Sequence, residues 1–351
     1  MRSLVKAIPR GLTKGVTEEQ AGGGGGEAGI SEFDRVGAIY YAVAEAGYVY
    51  SGEQDAAYDG RKYNTMAAAV AAIPATPSTP IVINAIGEWT TAETTNFNNG
   101  LITGATPTNY VLLRTIGSAR HAGGLNQSTA HRLTASTGQN PIVINNSHFH
   151  LDGLQVIRTA FQASGYGCIG VSGAATGVEI SKCILVGYGL TATEIGLAAQ
   201  SSGTIKVWNC LIYNFHHSNS FIGAIYKSGA GTTEIYSSVI IGVDKAVYRG
   251  SGTLIFKNCY AGASLGSASY YGTSTKTTSA SEDTTGSIGL QSILYSTDTF
   301  TNVTLGSEDL TLAEGSPLIE AGTDTTGDAA PLNFTDNIAG ETRASWNVGA
   351  F

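Results

Sequence analysis

The sequence predicts an all-β chain wound as a right-handed parallel β-helix, with a short N-terminal capping helix and an extended arm ahead of it. Three observations carry that reading. A strand-period pattern recurs five times: "HFHLDGLQV" (148–156), "GVEISKCILV" (177–186), "TIKVWNCLIY" (204–213), "TTEIYSSVII" (232–241) and "TLIFKNCYAG" (253–262). Only 13% of residues are charged and 46 are glycine, against roughly 25% charged in an ordinary soluble domain, which favours short strands joined by many turns. Finally, helical periodicity is nearly confined to one Ala-rich segment.

Aligned, the five segments place Phe149/Leu151, Val178/Ile180, Ile205/Val207, Thr233/Ile235 and Leu254/Phe256 at alternating positions, and Leu154, Cys183, Cys210, Ser238 or Cys259 three residues further on. This last column recurs at intervals of 29, 27, 28 and 21 residues. Period-two alternation belongs to strands, and a repeat of about 20 to 50 residues belongs to solenoids whose units bury their apolar faces only by stacking. A turn of this size holds three strands and three corners, stacked at about 4.8 Å. Cys183, Cys210 and Cys259 then face inward as a packed ladder of small side chains, because a metal site needs convergent ligands and this column mixes thiols with Leu and Ser. Asn209 and Asn258 beside it read as corner residues that tolerate a left-handed backbone.

Along the chain, residues 1–29 form a basic arm (Arg2, Lys6, Arg10, Lys14) and a tether, "AGGGGGEAG", whose glycines have too much backbone entropy for a stable element. Residues 30–140 read as the N-terminal cap and first coils, with "YNTMAAAVAAIPA" a helix stopped by Pro74. Residues 141–264 are the regular coils. Residues 265–351 are the C-terminal coils and closing segment, expected to cover the far end or a flank.

A net charge of −8 offers no basic footprint for nucleic acid. No run approaches the roughly 18 apolar residues of a membrane span, and the arm carries no apolar secretory core. Four cysteines in 351 residues are no disulfide framework, and a reducing compartment is expected. No P-loop, dinucleotide fingerprint or nucleophile elbow appears, so no cofactor is expected.

The outward columns hold the candidate chemistry. One reads His150, Glu179, Lys206, Glu234, Ile255 and suggests an ion-pair ladder; the next reads Asp152, Ser181, Trp208, Tyr236, Lys257. Asp152 and Glu179, on adjacent coils, are the candidate catalytic pair, since glycoside hydrolysis needs two carboxyl groups about 5 to 9.5 Å apart. Trp208 beside Tyr236 is the candidate sugar platform. His148, His150 and Asp152 have a spacing that suits a metal, although a solvated face fits them better; His216 and His217 point to opposite sides of a strand.

"SPLIEAG" (316–322) followed by "DNIAGETRASWNVGAF" (336–351) resembles the closing segment of right-handed parallel β-helix repeat proteins, with Glu320 and Asn347 where that pattern has aspartates. "TNYVLLRTIGSARHAGG" (108–124) resembles the first coil of a β-helix group found among phage and environmental structural proteins. The resemblance implies fold; the architecture hosts enzymes, adhesins and passive spikes alike. With an anchoring arm, a rigid shaft and no secretory signal, the expected function is a phage virion structural protein. It would be a capsid decoration or head spike held by capsid or tail proteins through residues 1–29, homotrimeric, and able to bind host surface glycans. The alternatives are a tail-spike-like carbohydrate-active enzyme, a polysaccharide lyase or glycosidase, and a non-catalytic adhesin.

Overall fold

The computed structural model describes residues 33–124, 128–135, 140–159, 167–188, 194–215, 223–242, 245–263, 268–304 and 308–351. Arg2, Lys6, Arg10, Lys14, His216 and His217 lie outside the described residues.

The aligned segments stack in register. Leu151, Ile180, Val207, Ile235 and Phe256 are successive partners in one parallel sheet, as are His150, Glu179, Lys206, Glu234 and Ile255 beside them. Each regular coil between Phe149 and Tyr271 contributes one strand to each of three parallel sheets; Val178–Ser181, Ile184–Val186 and Ile195–Ala199 make one such coil in sheets A, B and C. The chain is therefore a parallel β-helix, and such parallel crossovers wind right-handed. Its interior is one continuous apolar cluster running from Tyr41 to Tyr270, each fully buried Leu, Ile or Phe contributing about 1.5–3 kcal/mol.

Among the described residues sheet A has ten strands, twice the number of aligned segments. Upstream, Ile39–Val43, Ile81–Ala85 and Val111–Thr115 join it, almost wholly buried. They show no alternation because Phe33 and Tyr58 roof their outward residues Tyr40, Ala42, Val82 and Leu112, and a strand covered on both faces reads as a continuous apolar run. Tyr58 ends a helix absent from the sequence reading, α1 (Gly52–Tyr58), opened by a capping box between Ser51 and Gln54. The expected helix is α2 (Met66–Ala71), capped by Thr65; it buries Met66, Ala69 and Val70 against the first coils.

Sheet B is apolar on both faces. Ile184, Leu211, Val239 and Tyr260 point outward beneath Phe300, Leu310, Leu318, Ile338 and Val348, so the C-terminal segment lies along a flank. Its bonds come from the corners. Lys182, Asn209, Ser237, Asn258 and Thr278 turn the chain from sheet A to sheet B at φ between 42° and 56°, the left-handed region in which Asn is several-fold enriched. Asn209 donates to the Asp336 carbonyl (2.9 Å) and accepts from Arg343 (2.8 Å); Asn258 donates to the Thr323 carbonyl (2.6 Å) and accepts the Thr323 N–H (2.8 Å).

The inward column after each corner is bonded as well as packed. The Cys183 N–H donates to Cys210 Sγ (3.4 Å), the Cys210 N–H to Ser238 Oγ (3.1 Å) and the Cys259 N–H to Ser279 Oγ (3.3 Å). A corner takes these N–H groups out of the strand ladder, and a thiol or hydroxyl one coil on satisfies them. All four cysteines are free and buried, and burial pushes the Cys168 and Cys259 thiols up to about 12.

Candidate functional site: a cleft on the outer face of sheet A

Early coils of sheet A are roofed by the N-terminal segment and α1, and the C-terminal segment crosses the later ones. Between the two roofs the outward face stays open as a cleft of about 470 Å³. Its floor carries Leu112, His150, Glu179 and Trp208; Asp34 and Arg35 form one wall, Pro331, Phe334 and Asp336 the other.

At one end the rings of Tyr110 and His150 stack at 4.9 Å and 11°. Tyr110 was not among the sequence candidates, yet it lies at period two from Leu112, on the outward side, which is the signal that would have found it. Glu179 Oε2 stands 3.3 Å from His150 Nδ1 and keeps 26% of its side chain exposed. Burial raises the Glu179 carboxyl, against the opposing charges of Lys206 and Arg35. Burial likewise lowers His150 to about 4, helped by His148, so the imidazole is neutral at pH 7. The ion-pair ladder expected along this column is not formed among the described residues: Lys206 Nζ turns to the Ala330 carbonyl at 2.7 Å, a partner delivered by the C-terminal segment.

Asp152 and Glu179 do sit on adjacent coils, but in different columns and in opposite states. Arg120 Nη1 donates to Asp152 Oδ2 (2.8 Å) and Ser181 Oγ to its Oδ1 (2.7 Å). Burial alone would raise this carboxyl; the charges of Arg120 and Lys182 and those two hydrogen bonds hold it far below the usual carboxylate range. With both oxygens occupied by Arg120 and Ser181, Asp152 is an internally paired anion rather than a carboxylate open to a ligand.

Trp208 and Tyr236 are register neighbours. Phe334, however, stacks over Trp208 (6.5 Å, 18°) and leaves it 9% exposed, while the Lys257 ammonium lies 5.8 Å from the Tyr236 ring centre. The open platform expected from the sequence is thus covered, because the closing segment folds back across it. His148, His150 and Asp152 do not converge; no group of three His, Cys, Asp or Glu among the described residues is placed to hold a metal ion.

Arg114 and Lys182 are held by internal partners, while Arg35 stays half exposed at 3.7 Å from Asp34. Arg114 donates to both Asp34 oxygens (3.2 and 3.0 Å) and to Asn84 (2.7 Å), and Lys182 pairs with Asp336 at 2.7 Å. Glu179 meets no lysine or arginine at ion-pair distance among the described residues. One carboxyl between two aromatic pairs suits the binding of a polyhydroxylated ligand. The other carboxylates lining the cleft, Asp34, Asp152 and Asp336, are each held in an ion pair, by Arg114, Arg120 and Lys182.

No family model matches the chain, and no curated protein matches it. Among solved structures, one titled "Crystal structure of pectate lyase Pel9A" is similar over 89% of this chain and 96% of that one, at 13% identity and a TM-score of 0.36. At that identity and score the likeness bears on neither activity nor substrate.

Proposed function

We propose that the protein is a carbohydrate-binding β-helix whose sheet A cleft holds a segment of a surface glycan without cleaving it. The observation that carries this reading is Glu179, partly exposed and without a lysine or arginine at ion-pair distance among the described residues, lying between the Tyr110–His150 stack and the Phe334 ring that covers Trp208. Carboxylates accept from sugar hydroxyls and aromatic rings cover the apolar faces of sugars, the mixture that small-molecule clefts use for orientation and affinity. Calorimetric titration with surface polysaccharide fragments tests it: Tyr110→Ala and Glu179→Ala are each expected to weaken binding about tenfold or more, and unchanged affinity in both contradicts the reading.

A second reading, a carbohydrate-active enzyme, has one observation in its favour: the raised Glu179 carboxyl is the kind of group that acts as a general acid. It requires new reducing ends or unsaturated products that disappear in Glu179→Gln. Display on a phage particle as a trimeric decoration or spike, anchored to capsid or tail proteins through residues 1–29, belongs to the same proposal. The basic arm and glycine run of the sequence support it. Full occupancy of particles by protein lacking residues 1–20, seen by electron microscopy, contradicts it.

A further inference from the structure

We infer that the cleft selects glycans free of carboxylates, presenting a hydroxyl or ammonium donor to Glu179, and discriminates against polyuronates. This rests on the cleft being the glycan site. A cleft that receives an anionic sugar keeps a cation ready for it; here the cations nearest the floor are held by internal partners, and Arg35 at the rim stays half exposed. Arg114 is held by Asp34 and Asn84, Lys182 by Asp336, and Lys206 by the Ala330 carbonyl. Arg35 stands 3.7 Å from Asp34 at the rim, with half its side chain in solvent. The floor offers instead the Glu179 carboxylate, beside a neutral imidazole that adds no positive charge.

A uronate seated over Glu179 would place like charges together in a partly desolvated groove, or would have to draw Arg35 away from Asp34 or break a buried ion pair to find a cation. Either route costs enough for at least about a tenfold loss in affinity. A hydroxyl donates to the same carboxylate, and an ammonium pairs with it directly.

The probes are immobilised neutral hexose oligomers, amino-sugar oligomers and uronate oligomers of equal length, measured with the full-length protein across a panel of linkages. The expected result is that the ligands bound come from the first two classes, with uronate oligomers at least about tenfold weaker, and that Glu179→Gln, checked for native melting, narrows the gap. Acidification is expected to weaken the neutral and amino-sugar complexes as Glu179 protonates, the groups facing it being His150, Lys206 and Arg35. Preferential binding of uronates, or a class preference unchanged in Glu179→Gln, overturns the selectivity while leaving a glycan site in place. Absence of binding to any class overturns the glycan reading itself, and the selectivity with it.

Discussion

At Cys210 a thiol does what a packed ladder alone would not require: its sulfur accepts the Cys183 N–H, and its S–H points to the Trp208 carbonyl at 3.3 Å. Serine can repeat both bonds and valine neither. Cys210→Ser should therefore cost less than Cys210→Val, which orphans a buried N–H at about 1–3 kcal/mol; urea unfolding of the two variants decides. A second buried polar group departs from the interior pattern. Lys227 lies in the inward column of sheet C between Ala199 and Arg249, its ammonium bonded to the Ser201 carbonyl. Burial, with Arg249 nearby, lowers it to about 8. The unfolded chain then binds the extra proton between about pH 8 and about pH 10, so stability rises with pH over that window. Lys227→Met should melt higher at pH 7, with its advantage shrinking towards pH 10; parallel pH curves contradict this. The columns holding Cys210, Glu179 and Trp208 were legible because period-two alternation fixes which side of a strand a residue takes. What covers that side was not: Phe334 reaches Trp208 only because the tail returns, and no local pattern encodes a contact so distant in sequence.

Among the elements, the closing segment shapes the cleft most directly, since it brings Phe334 and Asp336 to one wall. Arg343 pins it, donating to the carbonyls of Asp336 (2.8 Å) and Phe351 (2.7 Å) and to Asn209 Oδ1 (2.8 Å). Arg343→Ala should release residues 336–351 locally by about 2–4 kcal/mol. Hydrogen exchange in that stretch should quicken by a factor of ten or more while the coils stay protected; uniform protection contradicts the pinning role. The same scale explains two misses in the sequence reading. Helix α1 announced itself through Ser51 and Gln54, a capping box within reach of inspection. The upstream strands Ile81–Ala85 and Val111–Thr115 belong to the first coils expected over residues 30–140, and only their register with the later coils stayed hidden, because burial on both faces erases the alternation that aligned those.

For the whole molecule, the β-helix is a rigid frame dressed on two sides. The C-terminal segment roofs the apolar outer face of sheet B. Removal of residues 297–351 should expose Ile184, Leu211, Val239 and Tyr260 together and drive self-association, since contiguous apolar patches of this kind seek cover; a monodisperse, soluble truncation in light scattering contradicts that role. The gap between the two roofs is the cleft, and the central claim is that a glycan occupies it. A crystal structure of the protein soaked with a bound oligosaccharide tests this most directly. Sugar is expected between the Tyr110 ring and Phe334 with a donor group on Glu179; sugar bound elsewhere, for instance along the stacked Tyr226, Tyr248 and Tyr271 rings of sheet C, contradicts a glycan site in the cleft.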